Sequence, residues 1–218
     1  MALDAKIMQQ HRHHYHRQRY ASALFTSTST VVTSAATWSA TDKNANVAIS
    51  GAGLIATDTS GVDTDHCGRG TTPTTLITTG MKRFWKIQVN VFGGTNLGVG
   101  LCTAAYTFTD GKFLGDASGS LSIGWDGADG SVFFNSGAVA NFGIFGAGAA
   151  LTIAVSKPLG KMWGAVNGVF SGDPVAGTGG VDISTMGDCF PAYDLKSTGA
   201  VTATFAATGG PTGYSIFP

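Results

Sequence analysis

Glutamate is absent from this chain: all 13 acidic residues are aspartate. Charged side chains make up 12% of the sequence, about half the usual share, and the formal net charge is zero. No global field therefore steers the molecule towards nucleic acid, and sequence-specific nucleic-acid binding is not expected. The shortage of ionisable groups also bears on catalysis. A sandwich-fold glycosidase sets two carboxylates across a cleft. The available pairs would come from Asp126, Asp129, Asp173, Asp182 and Asp188, all in glycine-rich contexts where turn chemistry explains an aspartate. His66 is the only histidine outside the N-terminal segment, so a histidine-based triad has few ways to form. No G-x-S-x-G elbow occurs. No enzymatic activity, cofactor or metal centre is expected.

Cysteine is sparse too. Cys67, Cys102 and Cys189 are odd in number, far apart and without a C-x-x-C spacing, which argues against a zinc knuckle or a disulfide framework. They read as buried thiols; the alternative is one disulfide, within the chain or between subunits. A signal-peptide apolar run is missing from MALDAKIMQQHRHH, and no stretch approaches the roughly 20 apolar residues of a membrane span. Synthesis in the cytosol without membrane insertion is the expectation.

Glycine, alanine, threonine and serine fill the space that charge leaves. Small and β-branched residues in short alternating runs suit twisted sheets with many turns. At 218 residues the chain is long enough for one large β domain with a substantial core.

Residues 1–20 differ from the rest. Lys6, Arg12, Arg17 and Arg19 against Asp4 give this segment a net +3, leaving −3 for the remainder. Glycine and proline are absent there, and Leu3, Ile7 and Met8 make a short apolar stripe that His11, His14 and Tyr15 could continue. An isolated helix of this length is marginal in water and needs something to fold against. The segment reads as a docking arm, with Leu3, Lys6, Ile7, Met8, Arg12, Tyr15, Arg17 and Arg19 as contact residues. A disordered basic tail and metal binding by HRHHYH are the alternatives. Residues 21–37 read as a linker or a first edge strand.

The alternation of Leu151, Ile153 and Val155 with Thr152, Ala154 and Ser156 predicts a half-buried strand. Lys157, Pro158 and Gly160 turn it back into Lys161–Val166, centred on Trp163, and Asn167-Gly168 suits a tight hairpin turn. Two short strands are expected at Val47–Ser50 and Leu54–Thr57, and others at Thr74–Thr79, Arg83–Val91 and Leu97–Thr103. Further strands are expected at Leu121–Trp125, Ser131–Asn135, Asp188–Tyr193 and Ala200–Phe205. Within Arg83–Val91, Trp85, Ile87, Val89 and Val91 share one face. Pro191 suggests an edge position for its strand. Asp126 to Gly130 reads as a hairpin turn, because no late glutamate completes a calcium loop. Polar loops are expected at Thr57–Pro73, Ala104–Gly119, Ala138–Gly148 and Ser171–Asp188. About ten to twelve strands without a helix beyond the arm give two antiparallel sheets packed face to face.

The order of short motifs resembles the SPRY (B30.2-like) domain, a bent concanavalin-like β-sandwich or jelly roll, in the form that recurs in bacteriophage virion proteins. Trp38-Ser39 with Asp42-Lys43 resembles the start of the domain. Gly80 with Arg83-Phe84-Trp85-Lys86-Ile87 is similar to its glycine-then-aromatic strand, and Leu97-Gly98-Val99-Gly100 to the strand with a recurring V-G. Ile123-Gly124-Trp125-Asp126-Gly127 with Gly130 resembles the G-aromatic-D-G hairpin. Lys161-Met162-Trp163 and Val166-Asn167-Gly168 resemble the K-x-W and N-G strand. Gly172-Asp173-Pro174 with Gly179-Gly180 is similar to an insertion of the phage forms, and Phe190-Pro191-Ala192 and Val201–Phe205 to the closing strands. The resemblance covers residues 38–218. The usual early tyrosine is Trp85 or Phe84 here, and the usual N-F-G is Thr204-Phe205-Ala206, so no ligand specificity carries over.

The resemblance implies a binding module without a cofactor, gripping protein partners or, as concanavalin-like relatives do, glycans through loops. The expected function is that of a non-enzymatic bacteriophage virion structural protein: a capsid decoration, head fibre, or neck- or tail-associated protein. Its arm would dock on other virion proteins, in many copies or as a homo-oligomer, with the sandwich facing a host-surface protein or glycan. The alternative is a soluble glycan- or protein-binding module outside a virion. Candidate ligand-facing loop residues are His66, Arg69, Tyr106, Phe108, Trp125 and Asp173; the aromatic ones have a competing reading as core.

Overall fold

A computed structural model describes residues 35–109 and 111–218. The arm residues singled out above therefore lie outside the described residues. Fifteen strands and no helix are present among those described: β1 (Trp38–Lys43), β2 (Val47–Ser50), β3 (Ile55–Asp58), β4 (His66–Gly70), β5 (Lys82–Val91), β6 (Gly98–Thr103), β7 (Ser122–Asp126), β8 (Ser131–Phe134), β9 (Gly137–Asn141), β10 (Ala150–Ser156), β11 (Lys161–Val166), β12 (Val169–Phe170), β13 (Val181–Asp182), β14 (Cys189–Leu195) and β15 (Ala200–Thr204). The first sheet runs β1-β4-β14-β6-β7-β8-β9. The second runs β12-β11-β10-β5-β15-β3-β2, with β13 added to β11. Every strand pairing is antiparallel.

The alternation in β5 and β10 aims Trp85, Ile87, Val89, Leu151, Ile153 and Val155 at the space between the sheets. There they meet Val99, Leu101, Ile123 and Trp125 of the first sheet. Trp85, Trp125 and Leu101 are fully buried. Each such side chain stabilises by about 2–3 kcal/mol relative to exposure. Glycine sets how closely β6 and β7 approach. A Cβ on Gly100 would lie 2.0 Å from the Ile123 carbonyl oxygen.

Part of each outer face is also covered, which strand alternation does not reveal. On the second sheet, Phe84, Ala154, Trp163 and Ala207 form a separate apolar cluster with Phe170 and Tyr214. Trp163 is thus buried on the outside of its sheet, and its Nε1–H donates to the Thr178 carbonyl at 2.8 Å. On the first sheet, the segment 104–121 lies over Cys67, Cys102 and Ala192 and contributes Tyr106 and Leu114 to that cluster.

Several sequence expectations need correction. Residues 66–70 are a buried strand between β1 and β14. Thr74–Thr79 is mostly turn, with a single bridge from Ile77 to Cys189. β9 and β13 lie in stretches expected as loops, because strands this short carry no clear alternation, while β12 follows the hairpin turn expected at Asn167-Gly168. Val91 is exposed at the end of β5. Pro191 sits in a central strand. Cys189 N–H donates to Ile77 on the β4 side, so the nitrogen of residue 191 faces that same side. It falls between the Ile77 bridge and the first β4 pair, Arg69 with Ala192, and breaks no ladder bond.

Candidate functional site

Three of the six candidate ligand-facing residues, Arg69, Tyr106 and Phe108, converge on the outer face of the first sheet, whereas His66 points to the opposite face of β4. The guanidinium of Arg69 is sandwiched between Phe190, 4.5 Å from its centroid, and Phe108, at 5.9 Å. It donates to the Thr103 carbonyl at 3.2 Å and pairs with Asp42 at 3.2 Å. Tyr106 is buried; its hydroxyl donates to the Lys112 carbonyl at 3.1 Å, and the Cys67 thiol donates to the same oxygen at 3.2 Å. His66 lies between a carboxylate and an amide: Nδ1 is 2.8 Å from Asp58 Oδ2 and Nε2 is 3.1 Å from Asn46 Nδ2. Asp58 belongs to the second sheet and His66 to the first, so this contact ties the two sheets along one edge. These side chains hold the 104–121 segment and the sheet edge in place. Phe108 alone of the four is half-buried; His66, Arg69 and Tyr106 do not line an open loop surface.

Beneath the same segment, Asp194 is 1% exposed and accepts from Leu114 N–H at 3.2 Å. Burial pushes its carboxyl well above the usual range, helped by the neighbouring Asp65. Burial likewise pushes up the thiols of Cys67 and Cys102, and raises Cys189 to about 12, so all three stay protonated and poorly nucleophilic at neutral pH. All three are free and buried. Cys102 pairs in register with Phe190, which puts Cys189 on the opposite face of the sheet, in the inner core. No disulfide forms among the three within the chain.

Trp125 is likewise fully buried. Its Nε1–H donates to the Gly143 carbonyl at 2.9 Å, and Phe142 and Phe145 pack edge-on against it. The core reading of Trp125 and Tyr106 is the one the structure takes. Asp173 is exposed on the glycine-rich segment after β12. It borders a groove of about 390 Å³ between residues 172–175 and 209–211, floored by Phe170.

A surface unforeseen from sequence lies at one end of the sandwich. There the connections at 59–65, 92–97, 142–149, 167–168 and 196–199 come together. Ser197 N–H donates to Val62, Gly93 approaches Gly199, Gly148 N–H donates to Val89, and Asn167 N–H donates to Ala150. Val62 (56%), Val91 (42%), Ile144 (67%) and Val169 (75%) are exposed across this end, half of all the large exposed aliphatic side chains described. Phe92 and Phe145 pack together beneath them at 6.3 Å. The available signal was a large apolar residue beside glycine in four of these five connections, as in Gly143-Ile144 and Gly168-Val169.

With two antiparallel sheets, a continuous inner core and loops gathered at the ends, the chain has the SPRY (B30.2-like) fold. Among solved structures it is similar to the SPRY domain of human HERC1, with a TM-score of 0.58 and 13% identity over 76% of this chain and 96% of that one. The PSpry domain of TRIM65 matches with a TM-score of 0.56 and 10% identity, over 78% of this chain and 88% of that one. Stonustoxin matches with a TM-score of 0.52 and 13% identity; the match covers 78% of this chain and 27% of the toxin chain. No protein-family model matches the sequence, and no curated protein matches it. Among the described residues, no helix is long and apolar enough to cross a membrane.

Proposed function

We propose that this chain is a non-enzymatic structural protein of a bacteriophage virion. It is anchored to other virion proteins by residues 1–20 and displays the sandwich, in many copies, for contact with a protein. The observation that carries the contact surface is the set of exposed aliphatic side chains at one end. Val62 and Ile144 stand on loops and Val91 and Val169 at strand ends, all at the same end of the sandwich, and exposed apolar residues gathered at one end point to an interaction surface. The SPRY-like fold, typical of protein-interaction modules, supports the same reading. The particle assignment rests on the sequence: a basic amphipathic arm, an uncharged small-residue composition and the resemblance to phage forms.

Cosedimentation with intact phage particles tests both parts. Full-length protein rides with the particles, and a chain lacking residues 1–20 stays in the supernatant with its sandwich folded. If neither form binds while both remain folded monomers, the virion reading fails. The end surface has its own test. Ile144→Asp and Val62→Asp leave particle binding intact and weaken contact with the displayed partner by about tenfold or more. Unchanged partner contact would move the interface elsewhere. A soluble glycan- or protein-binding module is the second reading, favoured by the open groove beside Asp173.

A further inference from the structure

The groove between residues 172–175 and 209–211 is chemically unlike the apolar end of the molecule. Phe170 forms its floor, Pro174 and Val175 one wall, and Gly209 and Pro211 the other. Asp173 stands on the rim. Its Oδ1 accepts from Val175 N–H at 2.8 Å and Ala176 N–H at 3.0 Å, which fixes the carboxylate; Oδ2 accepts nothing from a described residue, and the residue is exposed. A cation lies beside the other wall, outside the groove's own lining: a Cβ built on Gly209 would lie 3.9 Å from Lys86 Nζ. Lys86 has no carboxylate within ion-pair distance among the described residues.

Beyond Lys86 the outer face of the second sheet is uncovered by any described segment. Gln88, Asn90 and Thr204 are exposed there, beside Thr202, whose hydroxyl accepts from Asn90 at 2.7 Å. The face therefore offers amides and hydroxyls without an acid. Phe170 and Lys86 lie in one row across β12, β11, β10 and β5, so three strand spacings separate them, about 14 Å. An aromatic floor, a fixed carboxylate able to accept from hydroxyls, an unpaired ammonium and a polar apron make a combination suited to sugar rings. A peptide would want a free strand edge or apolar side-chain pockets.

We propose that this groove binds a carboxylate-bearing oligosaccharide. A ring lies on Phe170, its hydroxyls donate to Asp173, and a carboxylate further along the chain meets Lys86. The row spacing suits a short oligosaccharide rather than a single sugar. The proposal goes beyond protein contact at the aliphatic end and does not depend on the virion assignment.

The test is an NMR titration of the full chain with a hyaluronan tetrasaccharide, a neutral chitotetraose and an acetylated aspartate-rich peptide. The acidic saccharide shifts resonances of Phe170, Gly209 and Lys86 with a dissociation constant below about 1 mM. Lys86→Ala weakens it by about tenfold or more, the usual worth of a charge-assisted hydrogen bond, whereas Lys86→Arg keeps most of it. Asp173→Asn, which still caps its own loop, weakens the neutral and acidic saccharides alike. Ile144→Asp, at the apolar end, changes nothing here, so failure of the protein-contact reading is told apart from failure of this one. No groove shifts with either saccharide at about 10 mM, or unaltered binding by Lys86→Ala, overturns the proposal. Tighter binding of the peptide than of the acidic saccharide also overturns it and makes the groove a peptide site.

Discussion

Gly100 and Gly146 look alike in the sequence and differ in their surroundings. A Cβ on Gly100 would sit 2.0 Å from the Ile123 carbonyl oxygen, a backbone atom that β7 pairing holds in place. Gly146 has nothing within 4 Å of the same position. Gly100→Ala is expected to cost about 2–4 kcal/mol in urea unfolding, and Gly146→Ala less than about 0.5 kcal/mol. Asp194 is the other residue whose surroundings decide its behaviour. Its folded-state pKa is raised above the unfolded value. Folded and unfolded chains are therefore equally protonated at low pH. As pH rises past the ordinary carboxylate range, the unfolded chain ionises first and stability falls. Asp194→Asn keeps an acceptor for Leu114 N–H and removes that penalty. Its melting temperature should exceed wild type at pH 8, and the gap should close below about pH 4. A gap of the same size at both pH values would mean that the carboxyl is ionised in the folded protein.

The 104–121 segment works as an element although it contains no strand. It is strapped to the first sheet by Asn44 on the Phe108 carbonyl, by the Cys67 thiol on the Lys112 carbonyl and against the Tyr106 hydroxyl at 3.6 Å, and by Asp194 on Leu114 N–H. Tyr106→Phe removes one tie and loosens the strap without opening the inner core. Thiol labelling followed by mass spectrometry should then show Cys67 and Cys102 reacting faster than in wild type, with Cys189 still protected. Equal acceleration at all three would mean global unfolding instead. The C-terminal tail is a second covering element. Phe217 is 1% exposed and packs edge-on against Trp85 and Phe205. Phe217→Ala is expected to cost about 3–5 kcal/mol by chemical unfolding, the range for deleting a buried ring. Legibility in the sequence varied by element. The Leu151–Val166 hairpin and the Trp85 face of β5 were readable because a period of two survives wherever one face is buried. His66–Gly70 was not: buried on both faces and built around small or paired residues, it shows no alternation.

For the molecule as a whole, low charge predicts weak salt dependence. The described pairs of opposite charge are Asp42–Arg69 and Asp65–Lys196, neither of them fully exposed on both sides. Between about 0.05 and 0.5 M sodium chloride the melting temperature should move by less than about 2 °C. A larger shift would show that long-range charge repulsion contributes to stability. The sequence alone determined the fold class, a β-sandwich of SPRY-like motif order, because turn dipeptides and alternating strands are local signals. It also determined the polarity of the arm and the absence of glutamate. Only the tertiary structure decided which candidate residues are reachable. His66, Arg69, Tyr106 and Trp125 went inside because neighbouring strands and a covering loop supply their partners. Ile144 and Asp173 stayed outside because glycine-rich loops turn them away from either sheet, and Val169 because its two-residue strand is the edge of the second sheet. Burial depends on what packs from distant parts of the chain, and no local pattern carries that information.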